Sequence, residues 1–200
     1  MAYERWNASN AAMLLIDHQV GTIEWMHSAP KRAVKRNALA LAKAAAAVGM
    51  PVLLTSSMET DTQGPLFQEF EGIVPEAFGK RIRRSGIVDA FDDADFATAV
   101  SALDRKKLII AGLLTEVCVV YPALNAKNEG YEIQVVADAS GSATRMADDI
   151  ALDRMRQAGI SVTSTVQIIS EMVSNWSEGA GLALMPVLGE IYAALAVEAS

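Results

Sequence analysis

The sequence predicts an α/β fold built on a parallel sheet, and three observations predict it. Short continuous apolar runs, such as Ala11 to Ile16 and Leu108 to Gly112, suit strands covered on both faces. Stretches with a helical apolar period lie between these runs. Glycine, asparagine and aspartate punctuate the junctions, as residues that turn a chain do.

The elements follow in order. Residues 1 to 10 are largely polar with two aromatics, Tyr3 and Trp6, and are expected to cross the surface before a first strand, Ala11 to Ile16, which ends in Asp17-His18-Gln19. Val20 to Pro30 reads as irregular or briefly helical. Lys31 to Val48 is rich in alanine, carries Val34, Leu39 and Leu41 on a helical period and stops at Gly49, so it is expected to be a helix. Pro51 to Ser57 is a second strand, and the β-α-β unit so formed should cross over right-handed. Glu59 to Arg84 breaks the pattern with Gly64-Pro65, Gly72, Pro75 and Gly79, and reads as an irregular wall or lid over the strand ends that finishes in the basic cluster Lys80 to Arg84. Asp92 to Leu103 is a short amphipathic helix. Leu108 to Gly112 is the central strand, with a helix after it that stops near Asn128-Glu129-Gly130. Ile133 to Ala139 is a strand meeting a second acid, Asp138, at its carboxyl end. Asp148 to Ala158, Ile160 to Ser164 and Gln167 to Ser177 read as helix, strand and helix. Gly181 to Val197 is apolar with one acid in its middle, more apolar surface than an exposed terminal helix carries, and a subunit contact is expected there, with packing on the chain's own core as the alternative.

Bulk properties narrow the function. A length of 200 residues, 52% hydrophobic and 20% charged, fits one domain spanning residues 1–200 with a sizeable core. The formal charge of −7 argues against a nucleic-acid partner. A single cysteine forms no internal disulfide and fits a reducing, cytoplasmic setting. No signal peptide and no run of membrane-spanning length stand out, so no membrane partner is expected.

That cysteine, Cys118, lies near the start of the predicted helix after the central strand, where unpaired backbone N–H groups and the helix dipole favour a thiolate. The same position also suits a small buried hydrophobe. Alternation of strands and helices brings Cys118 and Asp17 to one edge of the sheet, the edge where open α/β sheets hold ligands. A cysteine hydrolase needs a nucleophile, a proton acceptor and donors for the oxyanion. The two histidines, His18 and His27, offer one possible base. His18 adjoins Asp17, however, and strand neighbours point opposite ways, so at most one of them faces Cys118. An aspartate beside a cation from Lys80 to Arg84 is the other possibility.

The stretches Leu14 to Gln19, Thr55 to Thr60, Arg84 to Phe91, Ile110 to Val119 and Asp138 to Gly141 together resemble the isochorismatase-like cysteine hydrolases, and within them the YcaC-like group, over about residues 8 to 178. The resemblance implies a three-layer α/β/α fold with a six-stranded parallel, Rossmann-like sheet and a triad of aspartate, lysine and cysteine. Asp17 matches the acid and Cys118 the nucleophile. Arg84 stands where most relatives carry lysine, with Lys80 as the alternative; arginine holds charge but exchanges no proton. The resemblance also implies a cis peptide at Leu113-Leu114, with the N–H groups of Leu114 and Cys118 turned to the oxyanion, and substrate contacts from Gln19, Glu59, Thr115 and Glu116. The metal-binding Asp-x-His pattern of related nicotinamidases is missing between Ser57 and Asp61, so no metal or other cofactor is expected. The implied activity is hydrolysis of a C–N bond, amide or carbamoyl-type, in a small molecule through a thioester on Cys118. Two rivals remain: vinyl-ether cleavage of the isochorismatase type, and a catalytically silent scaffold or thiol redox sensor. The resemblance further implies a homo-oligomer, with an octamer as the candidate size.

Overall fold

A computed structural model describes residues 4–198. Six strands form one parallel sheet in the order β3-β2-β1-β4-β5-β6. They are β1 (Ala11–Ile16), β2 (Val52–Ser57), β3 (Ile82–Arg84), β4 (Lys107–Gly112), β5 (Glu132–Val136) and β6 (Ser161–Thr163). Strand order reverses between β1 and β4, and a sheet of this kind leaves a crevice outside the carboxyl ends of those two strands.

The two central strands are fully buried because their side chains alternate between two apolar layers. Met13 and Leu15 of β1, with Ile109 and Ala111 of β4, pack toward α1 (Lys31–Val48), α7 (Thr165–Glu171) and α8 (Ala180–Glu198). Leu14 and Ile16, with Leu108 and Ile110, pack toward α4 (Ala94–Ala102), α5 (Val120–Asn128) and α6 (Arg145–Gln157). Helix α1 ends as its glycine predicts, with Gly49 at φ 67° and its N–H on the carbonyls of Ala45 and Ala46. Side-chain caps start three of the other helices: Asp93 for α4, Thr144 for α6 and Ser164 for α7.

Three expectations are corrected. The Glu59 to Arg84 segment is more regular than expected: it holds the short helices α2 (Glu69–Ile73) and α3 (Pro75–Gly79), anchors itself to the core through the buried Leu66, Phe67 and Phe70, and ends as the edge strand β3. Two arginines in three residues hide that strand from a hydrophobicity pattern. Asp138 also plays no part at the sheet's ligand edge, since its carboxylate accepts from the backbone N–H and the hydroxyl of Thr165 at the start of α7. Finally, α8 is long and apolar enough, by length and composition, to cross a membrane. Here one of its stripes, Leu184, Val187, Leu188 and Ile191, is buried against the core, and Glu190 pairs with Lys43 of α1. A second stripe, Leu182, Met185, Tyr192 and Leu195, is exposed.

Gly112 closes β4 where nothing larger fits. A Cβ there would stand 2.4 Å from the Ile16 carbonyl oxygen and 3.1 Å from Val119 Cγ2. Gly112→Ala is therefore expected to push β4 from β1 and lower unfolding stability by about 2 kcal/mol or more, read from urea melts.

Candidate active site

Three side chains meet above the crevice, each delivered by a strand end. Asp17 follows β1 with a left-handed backbone, φ 55°, a conformation that aspartate tolerates better than most residues. The turn ends β1 and separates Asp17 from its neighbour. The His18 ring packs near Phe67 and Phe70, and its Nε2 pairs with the Ala139 carbonyl at 2.9 Å. Burial lowers the His18 pKa to about 4, so the ring is neutral at physiological pH. His27 is exposed.

Arg84 comes from the far edge. Register places it beside Ser57 on β2, and β2 in turn pairs Thr55 with Ile16 of β1, so the guanidinium must reach over Thr55 to arrive at Asp17. It bonds along the way: Nε donates to Thr55 Oγ1 at 3.0 Å, Nη1 to the Ile87 carbonyl at 2.6 Å, and Nη2 to both Asp17 carboxylate oxygens. Thr55 is held in turn by donating to the Ile82 carbonyl at 2.8 Å. Arg84 is thus the cation at Asp17. Lys80, the alternative, lies on the surface and pairs with Glu76.

Cys118 sits on the turn after β4. The Leu113-Leu114 peptide bond is cis, and Thr115–Val119 forms a single π-helical turn ahead of α5. The Cys118 thiol lies beside the Asp17 carboxylate, close enough for each to shift the ionisation of the other. The expectation of a thiolate favoured by free backbone amides is not met. The Cys118 N–H donates to the Leu114 carbonyl at 2.8 Å, and Val117 N–H shares that carbonyl at 3.1 Å. Burial, reinforced by the Asp17 carboxylate, pushes the thiol pKa up, against weaker opposition from Arg84 and a backbone hydrogen bond from Leu114. Burial likewise pushes the Asp17 carboxyl above the ordinary carboxylate value, with Arg84 pulling it down. The bond at the Cys118 N–H also removes one of the two oxyanion donors that the resemblance implied, leaving the Leu114 N–H beside the sulfur.

These groups can exchange a proton without changing the charge of the cluster. Arg84 and Asp17 with a neutral thiol sum to zero, and so do Arg84 and a thiolate with a protonated Asp17. Losing the thiol proton to solvent would add a net charge to a buried site, whereas passing it to Asp17 would not.

A cavity of about 320 Å³ opens over Cys118, with Asp17, Arg84 and Leu114 at its lining and Trp25, Met58, Ile87, Val88 and Val117 around them. The four expected substrate contacts fare differently. Gln19 lines the cavity, but its amide is engaged: it donates to the carbonyls of Ser57 and Gly64 and accepts from the Ser57 N–H. Glu59 turns away to bind Arg81, Arg83 and Ser56. Glu116 accepts from the Ala143 N–H at 3.1 Å, and Thr115 is fully buried, so neither reaches the cavity. Trp25, Met58, Ile87 and Val88 were not foreseen. Their one signal in the sequence is large apolar residues in segments too irregular to bury them. Among the described residues no three His, Cys, Asp or Glu side chains gather as a metal-holding group.

Comparison with known proteins gives the family and the fold. The Isochorismatase domain model matches residues 11–167. Probable hydrolase YcaC of Escherichia coli (strain K12) is 39% identical over 174 residues, 87% of this chain and 83% of that protein. The structure of YcaC from Pseudomonas aeruginosa, solved with hexane-2,5-diol and covalent acrylamide, superposes with a TM-score of 0.87 at 35% identity, covering 98% of this chain and 99% of that one. The Escherichia coli YcaC structure, described as an octameric hydrolase of unknown specificity, gives a TM-score of 0.86 at 36% identity over 98% of both chains. Matched by the family model over most of its length and 39% identical to a relative over 87% of its residues, the chain belongs to the isochorismatase family.

Proposed function

We propose that this protein is a cysteine hydrolase that cleaves a C–N bond of a small molecule, an amide or carbamoyl-type group, through a thioester on Cys118. The observation that carries the reading is the contact of the Cys118 thiol with an Asp17 carboxylate held by Arg84, at the floor of an open cavity. As the sulfur attacks the carbonyl carbon, Asp17 takes the thiol proton and the oxygen becomes an oxyanion facing the Leu114 N–H. The C–N bond breaks as Asp17 gives that proton to the leaving amine. Water then attacks the thioester and leaves its proton on Asp17. The C–S bond breaks, the carboxylic acid departs and the proton returns to sulfur. Arg84 stays charged throughout, holding Asp17 in place and opposing its protonation by solvent. Acrylamide reacts with thiols by addition across its double bond, so the covalent acrylamide in the Pseudomonas aeruginosa relative is consistent with a nucleophilic side chain in that protein.

A vinyl-ether hydrolase is the second reading, favoured by one observation: burial moves Asp17 toward the neutral acid that such a reaction needs as its proton donor. Cys118→Ser separates the two, since a vinyl-ether hydrolase retains activity without the thiol.

The relative from Escherichia coli is described as octameric, and the exposed α8 stripe gives this chain an apolar surface suited to self-association. We therefore propose a homo-oligomer.

Three outcomes are expected. Cys118→Ala abolishes amide hydrolysis, and Asp17→Asn lowers kcat/KM about a thousandfold while the protein remains folded by circular dichroism at the assay temperature. The pH profile of kcat/KM has an acid limb above the ordinary aspartate value of about 3.9, because Asp17 must be ionised to accept the proton and burial raises its pKa; the profile then shows no rise near about 8.5, where a free thiol ionises. Tyr192→Glu with Leu182→Glu lowers the molar mass measured by light scattering.

A further inference from the structure

The cavity over Cys118 has a charge balance that bears on its substrate. Among the described residues its ionisable lining side chains are Asp17, Arg84 and Cys118. The first two neutralise one another, and every guanidinium nitrogen of Arg84 already donates within the protein. An entering carboxylate therefore meets no free cation, and an entering ammonium meets no free carboxylate. Either would shed water without a partner. The Gln19 amide is likewise spent on Ser57 and Gly64.

The polar groups that remain are neutral: the hydroxyls of Thr22 and Ser57, the Trp25 indole, the Gln63 amide and the Leu114 N–H, and the Thr22 hydroxyl is buried without a partner. Around the mouth, large apolar side chains face water together. Trp25 is 43% exposed, Met58 38%, Ile87 37% and Val88 54%. Single exposed apolar residues are ordinary, but several gathered about one opening mark a surface meant to be covered. The charged residues Glu59, Asp61 and Arg83 border an adjoining depression, and Glu59 and Arg83 there pair with each other.

Building on the hydrolase reading above, we propose that the substrate is an uncharged small molecule carrying an apolar group beside its scissile bond, and that the cavity discriminates against acids and amines of the same size. Trp25, Met58, Ile87 and Val88 are then the residues that set specificity, by giving the apolar group a surface and a charged group none.

The chain has one cysteine, so alkylation followed by intact mass reports on this cavity alone. Iodoacetamide and iodoacetate match in size and differ in charge. With each rate normalised to the reaction with 2-mercaptoethanol, iodoacetamide is expected to modify Cys118 about tenfold faster than iodoacetate or more. N-butyl iodoacetamide is expected to be faster again by several fold, as its chain is covered by the mouth. Val88→Lys, at the exposed rim, supplies a free cation and is expected to raise the iodoacetate rate relative to that of iodoacetamide. Equal or faster modification by iodoacetate in the wild type overturns the inference, and so does a Val88→Lys variant with an unchanged ratio. Neither readout requires turnover. Lost discrimination overturns this inference and leaves the hydrolase reading standing, whereas intact discrimination with amide hydrolysis undiminished in Cys118→Ala overturns the hydrolase reading alone.

Discussion

The structure above the sheet depends on a buried ion pair. Arg84 and Asp17 are 3% and 1% exposed, on strands that are not neighbours, and each has given up its hydration. Removing two charges from water costs several kcal/mol per ion, and their attraction offsets this only when the remaining donors are satisfied. Here they are: Thr55 and the Ile87 carbonyl take the guanidinium groups that Asp17 does not. Replacing such a pair by apolar side chains is often neutral or stabilising, so its presence is better explained by chemistry than by stability. It keeps a carboxylate beside a thiol in a place where burial works against both ionised forms.

The fold supplies what the pair needs. Reversal of strand order between β1 and β4 leaves a crevice, β1 brings Asp17 to its edge, β4 brings Cys118, and β3 lies two strands from β1 at a distance that a guanidinium can span. Gly112 lets the end of β4 come close to Ile16. The cluster that results is neutral before and after proton transfer, which makes a thiol with a raised pKa compatible with nucleophilic chemistry. In the hydrolase proposed above, activation is a transfer between neighbours rather than a loss to water.

Much of the fold was legible in the sequence, because buried parallel strands are written as uninterrupted apolar runs. Ala11 to Ile16, Val52 to Ser57 and the run ending at Gly112 needed nothing beyond periodicity and punctuation. The strand Ile82–Arg84 was not legible from its residues, since its identity rests on pairing with β2 and its two arginines point to different environments: Arg83 is exposed and Arg84 buried. The meeting of Asp17 with Cys118 followed from topology. The state of the thiol did not, because local reasoning places a cysteine near a helix start among free amides, and only the three-dimensional turn shows Leu114 occupying the Cys118 N–H. Glu59 and Glu116 were misplaced for a similar reason: a carboxylate near the site in sequence found a closer partner in Arg81 or in the Ala143 amide.

Arg84 is held by a strand of three residues at the margin of the sheet, while Asp17 and Cys118 are anchored to its two central strands. Margins fray before centres, since fewer neighbours restrain them. As denaturant or heat is raised, the guanidinium should detach while the β1–β4 core is still intact, so the charged cluster would come apart before the sheet melts.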